Sequence, residues 1–296
     1  MSMKSITTGR RIATLAVVAA LVGSLAAAQP ASASPSHPNP PVRAGKQYLA
    51  LGDSVPFGYR ESDSVPTPDY TKPETFVGYP EDVAADLSLD VANASCPGET
   101  TASLIDASAP SNGCENGYRL VFPLHVAYSG SQLDFAVQFL RSHRQTRLVS
   151  LMAGANDAFL CQKQTADNCL SEFPNLLQSI ARNISTILGR IRHEAHYPGQ
   201  LVLVNYYSLN YADPVLTGEV EALNDAIDAA AKPFDVDVAD GFGAFKQATA
   251  AFGGNDCAAG LLTMLATGGC DSHVHPSAAG QALLADAVEQ VVRTAP

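Results

Sequence analysis

Tyr48-Leu49-Ala50-Leu51-Gly52-Asp53-Ser54-Val55-Pro56-Phe57-Gly58 is the stretch on which the fold turns. Residues 47–51 are short and mostly apolar, and Gly52, Asp53 and Ser54 follow at once. Such a run, with no alternation of polar residues, is the pattern of a strand buried on both faces. Ser54 is thereby placed at the C-terminal edge of a sheet, at or near the first turn of a helix. A hydroxyl there is exposed, and its backbone N–H lies near the positive end of the helix dipole. The same serine could equally be an ordinary helix cap, and the fragment alone leaves both readings open.

Outward from this fragment, apolar runs recur at 91–95, 147–153 and 201–206, with a weaker one at 236–239. Helical spacing of apolar residues marks 131–143, 172–196, 216–231 and 278–293 between and after them. Strands alternating with helices imply right-handed crossovers and a sheet covered on both sides. The expected fold is therefore α/β, with three α/β/α layers around a central, mostly parallel sheet of five strands. The stretch 60–78 holds three prolines and no periodicity, so it reads as an irregular loop on the side where α/β sites are built. No internal repeat is visible.

The first thirty-odd residues read as a targeting signal. Lys4, Arg10 and Arg11 precede an apolar run over 12–28, and Ala31-Ser32-Ala33 supplies the small residues a signal peptidase reads. Cleavage is expected after Ala33, with Ala28 as the alternative site. An uncleaved anchor is the competing reading, but the run is short for a span of ~20 residues. The domain plan is a signal peptide over 1–33, a Pro-rich tether over 34–45 and one domain over 46–296. Secretion follows from this plan. Removing the signal takes three of 18 basic residues and none of 29 acidic ones, leaving 15 against 29, a net charge of −14. Such a surface repels a nucleic-acid backbone. No later segment is long enough to form a stable membrane span, and a monomer is expected because no apolar stripe lacks a place in the core.

Six cysteines in an exported chain read as three disulfides. They fall into sequence-local couples: Cys96 with Cys114, Cys161 with Cys169, and Cys257 with Cys270. Zinc sites usually show close CxxC couples, and none is present.

Three more segments come to the sheet edge that carries Ser54. Ser95-Cys96-Pro97-Gly98-Glu99-Thr100 follows the second strand, and Gly98 can aim its backbone N–H at the serine without a side chain in the way. Gly154-Ala155-Asn156-Asp157 follows the third, where the Asn156 amide offers donors. Asp271-Ser272-His273-Val274-His275-Pro276 precedes the last helix and can drop an imidazole beside Ser54.

In their order along the chain, the Gly-Asp-Ser start, the Gly98 loop, the Gly-x-Asn-Asp segment and His275-Pro276 resemble the four blocks of the SGNH/GDSL hydrolases. The cysteine-bearing loops are similar to those of the secreted actinobacterial lipases and esterases in that family. The resemblance implies a serine hydrolase of carboxylic esters acting by acyl transfer, without metal or organic cofactor, on a small-molecule or lipid ester. Ser54 would be the nucleophile and His275 its base. The oxyanion hole would be formed by the Ser54 and Gly98 N–H groups and the Asn156 side chain. The family usually places an Asp three residues before the histidine, but Ser272 stands there. Asp271 is the expected orienting acid, with a backbone carbonyl as the alternative, and His273 is a rival base.

Two other functions stay open: a carbohydrate esterase removing acetyl groups from polysaccharide, and a non-catalytic envelope module of the same fold. The absence of Trp weighs against sugar stacking. No Gly-x-Ser-x-Gly surrounds a serine of the mature chain, which disfavours the α/β-hydrolase elbow. His193 and His196 are three apart rather than the four of a metalloprotease helix and suit a helix C-terminus. A chelate of Asp271, His273 and His275 is a further metal alternative. Val55, Pro56, Phe57, Phe76 and Val77 could line an acyl pocket or simply be core, and Tyr206, Tyr207 and Tyr211 could border the cleft. Asp53 and Asp157 are expected to fix local turns.

Overall fold

The computed structural model describes residues 39–270 and 273–295; the expected signal peptide lies outside the described residues. Strands β1 (Gln47–Gly52), β2 (Asp90–Asn93), β3 (Thr146–Met152), β4 (Gln200–Val204) and β5 (Asp237–Ala239) form one sheet. Their order is β2-β1-β3-β4-β5, and every neighbouring pair is parallel. The sheet expected to be mostly parallel is parallel throughout. Tyr48, Leu49, Ala50 and Leu51 of β1 have no exposed surface, and all of β4 is buried. That burial explains why the runs lack alternation.

Among the described residues ten helices accompany the strands: α1 (Ser54–Phe57), α2 (Tyr79–Asp86), α3 (Thr101–Ile105), α4 (Arg119–Val121), α5 (Gln132–Ser142), α6 (Ala155–Gln164), α7 (Phe173–Gly189), α8 (Pro214–Ala231), α9 (Gly241–Thr249) and α10 (Ala278–Val291). Helices α2 and α9 pack on α10 against one face of the sheet, while α3, α5, α7 and α8 form the opposite layer. The helix expected over 172–196 closes at Gly189 into a wide π-helical turn over Arg190–Glu194. Helices α2, α6 and α9 were not expected. Each has ten residues or fewer, too few to show a sustained 3.6-residue period.

Two features position the site. From β1 the chain steps to β2 on one side, whereas from β3 it steps to β4 on the other, so a crevice opens between the C-terminal ends of β1 and β3. The three disulfides join Cys96–Cys114, Cys161–Cys169 and Cys257–Cys270, as the local pairing anticipated, and the first two pin segments beside that crevice. Among the described residues no helix is long and apolar enough to cross a membrane.

At the other end of the sheet the two ends of the domain meet. Val42, in the stretch expected as tether, is buried. It donates its N–H to the Arg293 carbonyl at 2.8 Å and accepts from the Ala295 N–H at 2.8 Å. Gln200, the first residue of β4, clasps Arg293 with both ends of its amide, at 2.7 Å each.

Candidate active site

Ser54 opens α1 immediately after β1. Gly52 has φ +138, and a Cβ there would lie 2.1 Å from the Met152 carbonyl oxygen, so only glycine lets β1 leave the sheet this close to β3. Asp53 caps α1 by accepting from the Val55 N–H at 2.9 Å and also accepts from the Tyr206 hydroxyl at 2.5 Å. Burial pushes the Asp53 carboxyl up to about 6, against the pull of Tyr206, Val55, His275 and Asn156.

His275 arrives 221 residues later, on the loop before α10. Its Nε2 stands 2.8 Å from Ser54 Oγ and its Nδ1 2.7 Å from Glu61 Oε1. Glu61 also accepts from the Val274 N–H at 3.0 Å and from the Thr263 hydroxyl at 2.5 Å. Burial opposes ionisation of Glu61, but the hydrogen bond and charge of His275, with Thr263, hold the carboxyl at about 2. Tyr59 sets its ring edge-on to His275 with 4.8 Å between centroids.

Glu61 was not among the candidates read from the sequence. Asp271, expected to orient His275, lies outside the described residues, and the Nδ1 position assigned to it is held by Glu61. His273, the rival base, makes no hydrogen bond with Ser54. It is buried, with Nδ1 3.0 Å from the Thr263 carbonyl oxygen and Nε2 2.9 Å from Asp63 Oδ1. It braces the 60–78 loop that carries Glu61. With His273 and His275 engaged in these bonds, the chelate weighed with Asp271 has no free imidazole nitrogen among the described contacts. The one group of candidate metal ligands among the described residues, Cys96, Glu99 and Cys114, has both sulfurs joined in a disulfide.

Gly98 and Asn156 line the same cavity wall as Ser54 and His275. Gly98 has φ +85, and a Cβ on it would lie 2.8 Å from the Asn112 oxygen and from backbone atoms of Gly113. Among the described residues neither the Ser54 nor the Gly98 N–H has an internal acceptor. Asn156, expected in a loop, is the second residue of α6. Its Oδ1 accepts from Asn112 Nδ2 at 2.7 Å, and Asn112 Oδ1 accepts from Lys163 Nζ at 2.7 Å. Asn156 and Asp53 line the same cavity. Asp157 does not fix its own turn: it accepts from the Thr101 N–H at 2.8 Å and hydroxyl at 2.6 Å, tying α6 to the start of α3.

Two lobes meet at Ser54. One is a cavity of about 230 Å³ walled by apolar side chains, among them Phe159, Phe173, Leu209, Leu216, Val220 and Leu223. Of the residues left open between cleft and core, Val55, Tyr206 and Tyr207 border it. Phe57 and Phe76 instead belong to a separate buried aromatic cluster, Val77 is half exposed, and Tyr211 packs edge-on against Phe242. The other lobe is more open, about 360 Å³, bounded by Tyr59, Tyr118, Phe122 and the glycine-bearing strap near Gly113.

Known proteins resemble this chain in sequence pattern and in fold. The model of the GDSL-like Lipase/Acylhydrolase family matches residues 50–283. The fold is similar to the crystal structure of phospholipase A1 from Streptomyces albidoflavus NA297, at 20% identity over 84% of this chain and 100% of that one, with a TM-score of 0.55. It is also similar to Axe2, an acetylxylan esterase from Geobacillus stearothermophilus, at 16% identity over 86% and 99% with a TM-score of 0.53. The lipase Lip_vut3 from a goat rumen metagenome matches at 16% identity over 84% and 98%, with a TM-score of 0.54. At these identities the likenesses show the fold. No curated protein matched the chain in sequence.

Proposed function

The chain belongs to the GDSL-like lipase/acylhydrolase family and is an ester hydrolase, and from that premise we propose that it is an exported serine esterase working through Ser54, His275 and Glu61. The observation that carries the reading is the continuous line from Ser54 Oγ to His275 Nε2 at 2.8 Å and from His275 Nδ1 to Glu61 at 2.7 Å. His275 takes the Ser54 proton as Oγ attacks the ester carbonyl carbon, and Glu61, ionised at any working pH, stabilises the imidazolium. The carbonyl π electrons move onto oxygen, which the Ser54 and Gly98 N–H groups and the Asn156 amide receive. Collapse expels the alcohol, protonated by His275. Water repeats the cycle on the acyl-enzyme and releases the acid. The three disulfides and the signal-like first 33 residues support export.

The apolar lobe supports a hydrocarbon acyl group as the substrate's acid side. Its 230 Å³ of apolar-walled space suits an acyl chain longer than acetyl. The open aromatic lobe favours a second reading: Tyr59, Tyr118 and Phe122 offer ring faces for a sugar alcohol, as in removal of acetyl groups from polysaccharide. Hydrolysis of p-nitrophenyl acetate, butyrate, octanoate and palmitate separates the two. A maximum at octanoate supports the acyl lobe, and a maximum at acetate supports the sugar reading. Ser54→Ala is expected to lower kcat by about 10⁵-fold or more. Retained turnover would overturn the mechanism.

A further inference from the structure

Asn112 has no place in the chemistry above, yet its hydrogen bonds end on two of the three oxyanion donors. Its backbone N–H donates to the Gly98 carbonyl at 2.8 Å and its Nδ2 to Asn156 Oδ1 at 2.7 Å. A side-chain amide has two ends that are nearly alike in shape and opposite in chemistry. Asn156 can offer an N–H to an oxyanion only in one of its two orientations, and turned over it would present an oxygen and repel the developing charge.

The direction is set from one end of a short chain of bonds. Lys163 has donors only, and its Nζ sits 2.7 Å from Asn112 Oδ1. That obliges Asn112 to turn its NH₂ toward Asn156, and Asn156 to turn its oxygen toward Asn112. Turning Asn156 alone would set two NH₂ groups face to face. Turning Asn112 as well would set its NH₂ against the Lys163 ammonium. The disulfides hold both supports in place: Asn112 lies between Cys96 and Cys114, and Lys163 between Cys161 and Cys169.

We propose that Asn112, itself oriented by Lys163, is a positioning residue that fixes the Asn156 amide with an N–H toward the reacting carbonyl. This rests on the reading of Asn156 as an oxyanion donor. The test is a double-mutant cycle on p-nitrophenyl butyrate. Asn112→Asp sets a carboxylate against Asn156 and draws its NH₂ away. It is expected to cut kcat by about a hundredfold, the loss of one donor, with KM within about twofold. Lys163 is exposed, so Lys163→Met leaves the fold intact; a kcat loss of about three- to tenfold is expected, restored in Lys163→Arg. In an Asn156→Ala background each change is expected to cost less than twofold, because there is no longer an amide to orient. Losses that multiply in that background, or an unchanged kcat in Lys163→Met, overturn the proposal even if Asn112→Asp fails to fold. If Asn156→Ala alone leaves kcat intact, the donor reading has failed instead.

Discussion

Replacing Glu61 by Gln keeps the volume of the side chain and one acceptor oxygen and deletes its charge. Its neighbours lower this carboxyl from the usual 4.5 to about 2 despite burial. At 1.36 kcal/mol per pH unit that is about 3 kcal/mol in favour of the ionised form. The two largest favourable contributions come from His275, and a hydrogen bond to a charged partner is worth about 2–3 kcal/mol. The imidazolium forms as the transition state is reached, and without its counter-charge kcat should fall about 30- to 150-fold. Steady-state hydrolysis of p-nitrophenyl butyrate at constant pH measures this, with Asp271→Ala beside it and expected within about twofold of the parent. A Glu61→Gln enzyme within threefold of the parent, or an Asp271→Ala enzyme more impaired than it, would refute the reasoning. The same group has a stability signature of definite sign. A carboxyl whose pKa is lowered by folding stabilises above its unfolded value. That contribution is lost as pH falls from about 4.5 through about 2, and Glu61→Gln lacks it.

Two other outcomes are expected. Gly98→Ala must push a methyl group against backbone atoms of residues 112 and 113 at 2.8 Å while holding φ +85. It should cost roughly 1–3 kcal/mol of stability and displace an oxyanion donor, lowering kcat by about a hundredfold; a melting curve and kcat both matching the parent would contradict this. Glu99 is fully buried, and burial pushes its carboxyl up to about 8. The native state therefore holds this proton more tightly than the unfolded chain, and stability present below about 4.5 is lost as pH rises toward 8. Glu99→Gln, which mimics the protonated form, should gain on the parent by up to about 4 kcal/mol between pH 5 and pH 8.5. A constant Tm difference across that range would show the carboxyl to be solvated.

Much of the fold was legible because burial on both faces leaves an unbroken apolar run. The runs at 147–153 and 201–206 each land within two residues of β3 and β4. Ser54, Gly98, Asn156 and His275 line one cavity, and their convergence was legible because each follows a strand or precedes a helix, where topology forces loops to one edge. Glu61 could not. It stands in a proline-broken loop without periodicity, and its partner is 214 residues away. Nothing local distinguishes it from Glu74 in the same loop, and only the chain's return through Thr263 and Val274 selects it. Asn112 and Lys163 escaped for a similar reason. A disulfide fixes where a loop is tied, but not which of its amides turns inward.

The clasp of Val42 and Gln200 on Arg293 lies at the N-terminal end of β4, while Ser54 and His275 lie past the C-terminal ends of the strands. Val42 and Arg293 therefore sit on the pole away from the cleft. A support linked to the chain near these two residues leaves the opening facing outward. Because the two ends are hydrogen-bonded neighbours, a short linker between them is compatible with a circular permutant opened at an exposed loop elsewhere. Immobilisation through either end should thus leave access for a bulky substrate undiminished.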